Sequence, residues 1–164
     1  MKKIIVSEIP LEGLQYELSE SVNQKDIEFK SPIIGFVKIF KTNSQVIIEG
    51  VIKSTLELNC SRCLNDYQFT TNSVINTVFH PASVLTKDDN YELHTGELDT
   101  EFYKNDEIDL IEFLIQEIRL NIPMKPLCKD DCKGLCPNCG VDLNSETCDC
   151  NKEAQVSIFN LNIR

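Results

Sequence analysis

The amino-acid sequence predicts an α+β fold: a mainly antiparallel β-sheet or partial barrel, one amphipathic helix, and a C-terminal cysteine-rich zinc knuckle. Three observations carry this expectation. Between Val46 and Leu58 apolar residues alternate with more polar ones, the period of a half-buried strand. Between Leu110 and Leu120 they recur at three- and four-residue spacing, the period of a helix packed along one face. The eight cysteines fall into a pair, Cys60-x2-Cys63, and a run, Cys128-x3-Cys132-x3-Cys136-x2-Cys139-x8-Cys148-x-Cys150, which places six thiols within 23 residues.

Each element follows from its residues. A short strand from Phe36 to Phe40 meets Lys41-Thr42-Asn43-Ser44, small and polar enough to turn, and Val46, Ile48, Ile52, Leu56 and Leu58 return on one face. The same period carries Cys60 onto the face of Leu58, so this strand ends in the first thiol pair and Cys63 closes the turn. Tyr67, Phe69, Thr71, Val74, Val78 and Phe79 favour extended backbone and run back antiparallel as far as Pro81. From Asp88 to Asp109 nine acidic side chains share the chain with one base, Lys104, which predicts a solvated loop. Asp109 then opens a helix near 109–121. With Glu112 it makes the Asp variant of a capping box, Leu110, Phe113, Leu114, Glu117 and Ile118 follow at three- and four-residue spacing up to Leu120 with an apolar stripe expected to cover the sheet, and Pro123 stops the helix. Beyond Pro126 the chain turns to Cys, Asp, Lys, Gly and Asn, residues that bury little apolar area and suit turns and metal ligation. The expected organisation is a β-rich core domain, 1–126, and a cysteine-rich metal-binding segment with its tail, 127–164, packed on that core. The tail from Val156 to Ile163 is apolar enough for an edge strand.

The thiols point to one or two structural Zn2+ ions. A C-x2-C turn presents two sulfurs to one ion at about 2.3 Å each, and tetrahedral zinc takes four. Cys136-Pro137-Asn138-Cys139-Gly140 is the most specific local pattern, and the segment from Gly140 to Thr147 is long enough to bring back Cys148 and Cys150. Cys136, Cys139, Cys148 and Cys150 are therefore the preferred local site. The C-x-C pair is its weaker half, because alternate residues of an extended chain face opposite ways unless the backbone bends. Cys60, Cys63, Cys128 and Cys132 would make a second site joining distant segments, with exchange of Cys128 or Cys132 for a C-x-C thiol left open. A redox role for Cys60 and Cys63 lacks the βαβ setting of thioredoxin-like motifs. With four protein ligands per ion no position is open for substrate, so both sites read as structural.

Other chemistry is sparse. His80 and His94 lie apart beside turn-like residues and read as surface histidines, and neither a phosphate-binding glycine loop nor a Ser-His-Asp pattern occurs. Net charge is −10, with 16 bases against 26 acids. Four thiolates around each dication would add about −2 more. Such a chain repels naked nucleic acid overall and suits a basic protein partner. The few apolar residues at the N-terminus are too short for a signal segment and no later run reaches membrane-spanning length, so a soluble, cytoplasmic protein is expected.

At Leu58-Asn59-Cys60-Ser61-Arg62-Cys63-Leu64, at Ile108-Asp109-Leu110, and from Leu120-Asn121-Ile122-Pro123 to Leu127-Cys128, the chain resembles the YceD family of large ribosomal RNA subunit accumulation proteins. Cys132-Lys133-Gly134-Leu135-Cys136-Pro137-Asn138-Cys139-Gly140, continued to Asn144 and followed by Cys148-Asp149-Cys150, looks like the cysteine-rich ending of Gram-positive members. The resemblance implies a role in large-subunit ribosomal RNA synthesis, processing or stability, without an established catalytic activity. Joined to the charge, it predicts a non-enzymatic assembly factor that grips a basic ribosomal protein or an assembly intermediate. The alternatives are direct RNA binding through Arg62, Lys129 and Lys133, and thiol redox chemistry at Cys60 and Cys63.

Overall fold

A computed structural model describes residues 2–42, 45–84 and 100–150. The chain forms two compact units, one of Met1–Leu56 with Phe69–Ile122, the other of Glu57–Gln68 with Pro123–Arg164.

The first unit is built on a sheet of β2 (Leu14–Glu20), β4 (Ile33–Lys41), β5 (Val46–Asn59), β6 (Asp66–Pro81) and β7 (Thr100–Tyr103), in that spatial order, with β3 (Glu28–Phe29) beside β5. The β2/β4 and β4/β5 pairs are antiparallel and β6/β7 is parallel. A small antiparallel sheet joins β1 (Lys3–Ile5) to β8 (Glu107–Asp109). The hairpin predicted around 41–44 is present, closed by Thr42 N–H donating to the Gln45 carbonyl at 2.8 Å. Asn43 and Ser44 themselves lie outside the described residues.

Alternation along β4 and β5 decides what is buried. Ile33, Val37 and Ile39 on one strand and Val46, Ile48, Ile52 and Leu56 on the other are all inward and fully enclosed. Each such aliphatic side chain contributes roughly 1.5–3 kcal/mol by leaving water. The helix α1 (Leu110–Leu120) supplies Leu110, Phe113, Leu114, Ile115 and Ile118 to the same core, with Phe113 edge-on to Phe79 of β6, ring centroids 5.0 Å apart. Its start is the predicted one: the Asp109 carboxylate accepts from Glu112 N–H at 3.2 Å, which satisfies a donor that the helix leaves unpaired.

Several expectations are corrected. The sheet is open, not a partial barrel: its order runs from β2 to β7 without closing. The acidic stretch is no simple loop, since β7 and β8 lie within its last ten residues, where Phe102, Tyr103 and Ile108 supply strand-forming side chains among the carboxylates. Residues 85–99 are outside the described residues. In β6 the inward face is Thr71, Ser73, Ile75, Thr77 and Phe79, whereas Val74 points outward and is 76 % exposed. Small hydroxyls replace aliphatics here, so hydrophobic residues alone misassign the face; Thr71 and Ser73 hydroxyls lie 3.4 Å apart and satisfy each other. In α1, Leu110, Phe113, Leu114 and Ile118 are buried as expected, but Ile115 joins them in the core and Leu120 at the end is exposed. His80 is not a surface turn residue: it lies within β6, one residue before its end, half-buried, with its ring against Phe102 and Nε2 3.3 Å from the Gln45 amide. His94 and the tail from Val156 to Ile163 lie outside the described residues. Among the described residues no helix is long and apolar enough to cross a membrane.

Candidate metal centre

All eight cysteines are unbridged and fall into two groups, each within the second unit. The first contains Cys60, Cys63, Cys128 and Cys132, whose sulfurs all lie within 4.8 Å of one another. Cys60 follows the last residue of β5, and the turn after it closes when Cys60 N–H donates to the Asn65 carbonyl and Leu64 N–H donates to the Cys60 carbonyl, both at 2.9 Å. Leu64 adopts the left-handed conformation, φ +62°, that the knuckle requires. The opposite half approaches through Ser61 N–H donating to the Pro126 carbonyl at 2.8 Å. Tyr67, Leu127 and Leu135 pack around the buried sulfurs and keep water away.

The second group contains Cys136, Cys139, Cys148 and Cys150, again within 4.8 Å of one another. Its knuckle repeats the first: Gly140 N–H donates to the Cys136 carbonyl at 2.8 Å, and Gly140, φ +74°, stands where Leu64 stands in the other turn. The backbone bends at Asp149, and that bend lets the two sulfurs of the C-x-C pair turn to one place. Cys136 is buried, Cys148 and Cys150 half-buried and Cys139 exposed, so this group is the more open to solvent.

The donor set fits a soft, four-coordinate dication. Four sulfurs at about 2.3 Å from a central ion stand roughly 3.8 Å apart along the edges of a tetrahedron. The Cys60–Cys132 and Cys63–Cys128 sulfur separations are both 3.7 Å. The electrostatics agree. Burial pushes Cys60 up, but backbone N–H groups of Cys63, Cys128 and Arg62 outweigh it and bring the thiol down to about 6. Burial and the neighbouring sulfurs push Cys128 up to about 12. In the second group the N–H groups of Cys139 and Asn138 hold Cys136 down at about 6, while Cys139, then burial, drive Cys150 up to about 12. Each cluster thus ionises one thiol readily while two others, Cys63 and Cys128 in the first and Cys148 and Cys150 in the second, are pushed up; a bound dication would supply the positive charge that lets all four become thiolates. A redox reading of Cys60 and Cys63 meets a steric obstacle, as they are 0 % and 3 % exposed and an external disulfide cannot reach them.

The polar frame of these centres was not read from the sequence. Arg62 Nη1 donates to the Cys132 carbonyl at 2.8 Å, which commits one of the three bases considered for RNA to holding the first group. Lys129 and Lys133 are exposed, but Asp130 and Asp131 stand exposed between them. Asp142 accepts from Asn65 Nδ2 and from Asn144, and its carboxyl is held below the usual range, chiefly by the Asn144 backbone N–H. Asn144 also donates to the Cys132 sulfur at 3.5 Å. The signal available was the Asp142-x-Asn144 spacing after a glycine, the mark of a side-chain-closed turn.

A family model described as large ribosomal RNA subunit accumulation protein YceD matches residues 48–160, a span that holds both thiol groups. The chain belongs to the YceD family. The family is named for the accumulation of the large ribosomal RNA subunit. Among similar proteins, an uncharacterized protein of Mycobacterium tuberculosis is 28 % identical over 67 % of this chain and 51 % of its own length. One of Mycobacterium leprae is 26 % identical over 71 % of this chain and 52 % of its own. The Arabidopsis thaliana protein named large ribosomal RNA subunit accumulation protein YCED homolog 1, chloroplastic, is 23 % identical over 79 % of this chain and 47 % of its own. The chain therefore spans about half the length of the curated relatives it matches. No solved structure matches it.

Proposed function

We propose that this YceD-family chain is a non-enzymatic factor that sustains large-subunit ribosomal RNA in the cytoplasm by binding a basic ribosomal protein or an assembly intermediate. Two Zn2+ ions, one on Cys60, Cys63, Cys128 and Cys132 and one on Cys136, Cys139, Cys148 and Cys150, would staple the cysteine-rich segment into a rigid frame. The observation that carries the choice of a basic protein is charge placed on shape. Within the first unit a groove of about 460 Å³ lies between β7, β8 and α1, where Glu101, Glu107, Asp109 and Glu112 outnumber Lys3 and Lys104 beside Phe102 and Tyr103; Lys3 already pairs with Glu107 at 2.7 Å, which leaves Glu101, Asp109 and Glu112 for a partner. Carboxylates beside aromatic faces suit arginine and lysine side chains, through ion pairs and cation–π contact. The net charge of −10 would steer such a partner from a distance.

The test is affinity capture from lysate at moderate salt. Large-subunit precursors or one of their basic proteins should be recovered with the intact chain, and a Glu101→Lys, Glu112→Lys double reversal should lower recovery at least tenfold. Tight binding of protein-free ribosomal RNA, with a steep loss of affinity on adding salt, would overturn the reading in favour of phosphate contacts.

A further inference from the structure

We propose that the two thiol centres are coupled through Asn144, so that filling the Cys136, Cys139, Cys148, Cys150 centre raises the metal affinity of the Cys60, Cys63, Cys128, Cys132 centre. This rests on reading both groups as metal centres. Asn144 lies in sequence between Cys139 and Cys148, so the segment that carries it is fixed at each end by ligands of the second centre. Its side chain nevertheless serves the first. Nδ2 donates to the Cys132 sulfur at 3.5 Å, and Oδ1 accepts from Lys133 N–H at 2.9 Å, one residue beyond that sulfur's own.

The rest of the segment reinforces this reach. Leu143 N–H donates to the Gly134 carbonyl at 2.9 Å, between Cys132 and Cys136. Asp142 Oδ1 accepts from the Asn144 backbone N–H at 2.9 Å and from Nδ2 at 2.6 Å, which sets the rotamer of the amide. Asp142 Oδ2 accepts from Asn65 Nδ2 at 2.9 Å, and Asn65 closes the Cys60–Cys63 knuckle. One short loop of the second centre thus touches both halves of the first.

The chemical consequence follows from position. One amide that donates to the Cys132 sulfur and accepts from Lys133 N–H holds that sulfur in the place a ligand must occupy, so Asn144 is a positioning residue that favours a loaded first centre. It stands in place only when the loop is closed, and closure is what Cys148 and Cys150 achieve by joining Cys136 and Cys139. By thermodynamic reciprocity, loading the first centre also favours loading of the second.

The experiment uses the full chain loaded with zinc and titrated with a competing chelator, with alkylation of each cysteine read by mass spectrometry. In Asn144→Asp, which keeps the acceptor for Lys133 N–H but turns an oxygen toward the sulfur, Cys60, Cys63, Cys128 and Cys132 should lose protection at a chelator concentration about tenfold lower. The other four should shift less. Asn144→Ala should move the same way, and a Cys148→Ser, Cys150→Ser variant should weaken the first centre although none of its ligands is changed. With cobalt in place of zinc, the sulfur-to-metal charge-transfer band of the first centre should shift in Asn144→Asp, which a merely structural role would not produce. Unchanged release from the first centre in all three variants, with both centres loaded in the wild type, would overturn the coupling. A wild type that takes up no zinc would overturn the metal reading beneath it, a failure visible before any variant is compared.

Discussion

A strong chelator is expected to collapse Glu57–Gln68 and the segment from Pro123 to Cys150 while most of the sheet signal in far-ultraviolet circular dichroism persists. Among its described residues the second unit has little else to hold it. Its buried cluster consists of Cys60, Cys63 and Cys132, with Tyr67, Leu127 and Leu135 only partly enclosed. Its most exposed large side chains include Leu64, and Pro137 to Gly140 are all exposed. A structural zinc ion contributes on the order of 10 kcal/mol, as much as the whole stability of a typical domain, so its loss decides the outcome. The first unit instead keeps an aliphatic core from Ile33 to Ile118 that involves no thiol. Alkylation should rise from none to all eight cysteines as metal is withdrawn. Retention of thiol protection after complete chelation would mean that ordinary packing, and not coordination, holds these sulfurs together.

Gly50→Ala is expected to cost about 3 kcal/mol or more, read as a fall in the urea midpoint with an unchanged slope. Gly50 faces Val37 across the β4/β5 ladder. A Cβ there would stand 2.2 Å from the Phe36 carbonyl oxygen and 2.9 Å from Val37 Cα. Both obstacles are backbone, so no rotamer change relieves them and the strands must part. Gly35 has the mirror problem, its Cβ meeting the Val51 carbonyl oxygen at 2.2 Å. Since one separation of the strands relieves both clashes, the double alanine variant should cost clearly less than the sum of the single ones. A loss below about 1 kcal/mol for Gly50→Ala would show that the strands do not approach this closely.

The parts of the fold that could be read from the sequence are those in which local pattern and tertiary demand coincide. Val46, Ile48, Ile52 and Leu56 announce β5 because every inward position that carries bulk is aliphatic. Asp109 announces α1 because a helix start needs an acceptor whatever surrounds it. Thr71, Ser73 and Thr77 conceal the inward face of β6, since a hydroxyl can be buried once paired and the sequence does not show the partner. The β7 strand is hidden for a different reason: its parallel place beside β6 is a non-local pairing, and Glu101 flanked by acids reads as solvated. In β2, Leu14, Tyr16 and Leu18 alternate with Gln15, Glu17 and Ser19, and the apolar face is the more buried one, so the strand carries a readable signal, weakened only by its short length. At the thiols, spacing leaves the partition of Cys128 and Cys132 open, and hydrogen bonds from Ser61 to Pro126 and from Arg62 to Cys132 draw those two toward the Cys60 knuckle. Asp142-x-Asn144 marks a side-chain-closed turn, but nothing in that spacing says that the turn supports a ligand.

Coordination of all eight sulfurs is tested most directly by metal content. The chain should be purified under reducing conditions with zinc supplied, then assayed together for bound metal and for thiols that resist alkylation. Two zinc ions per chain with eight protected thiols is the expected result. A folded chain that carries no zinc, with thiols freely alkylated, would contradict it.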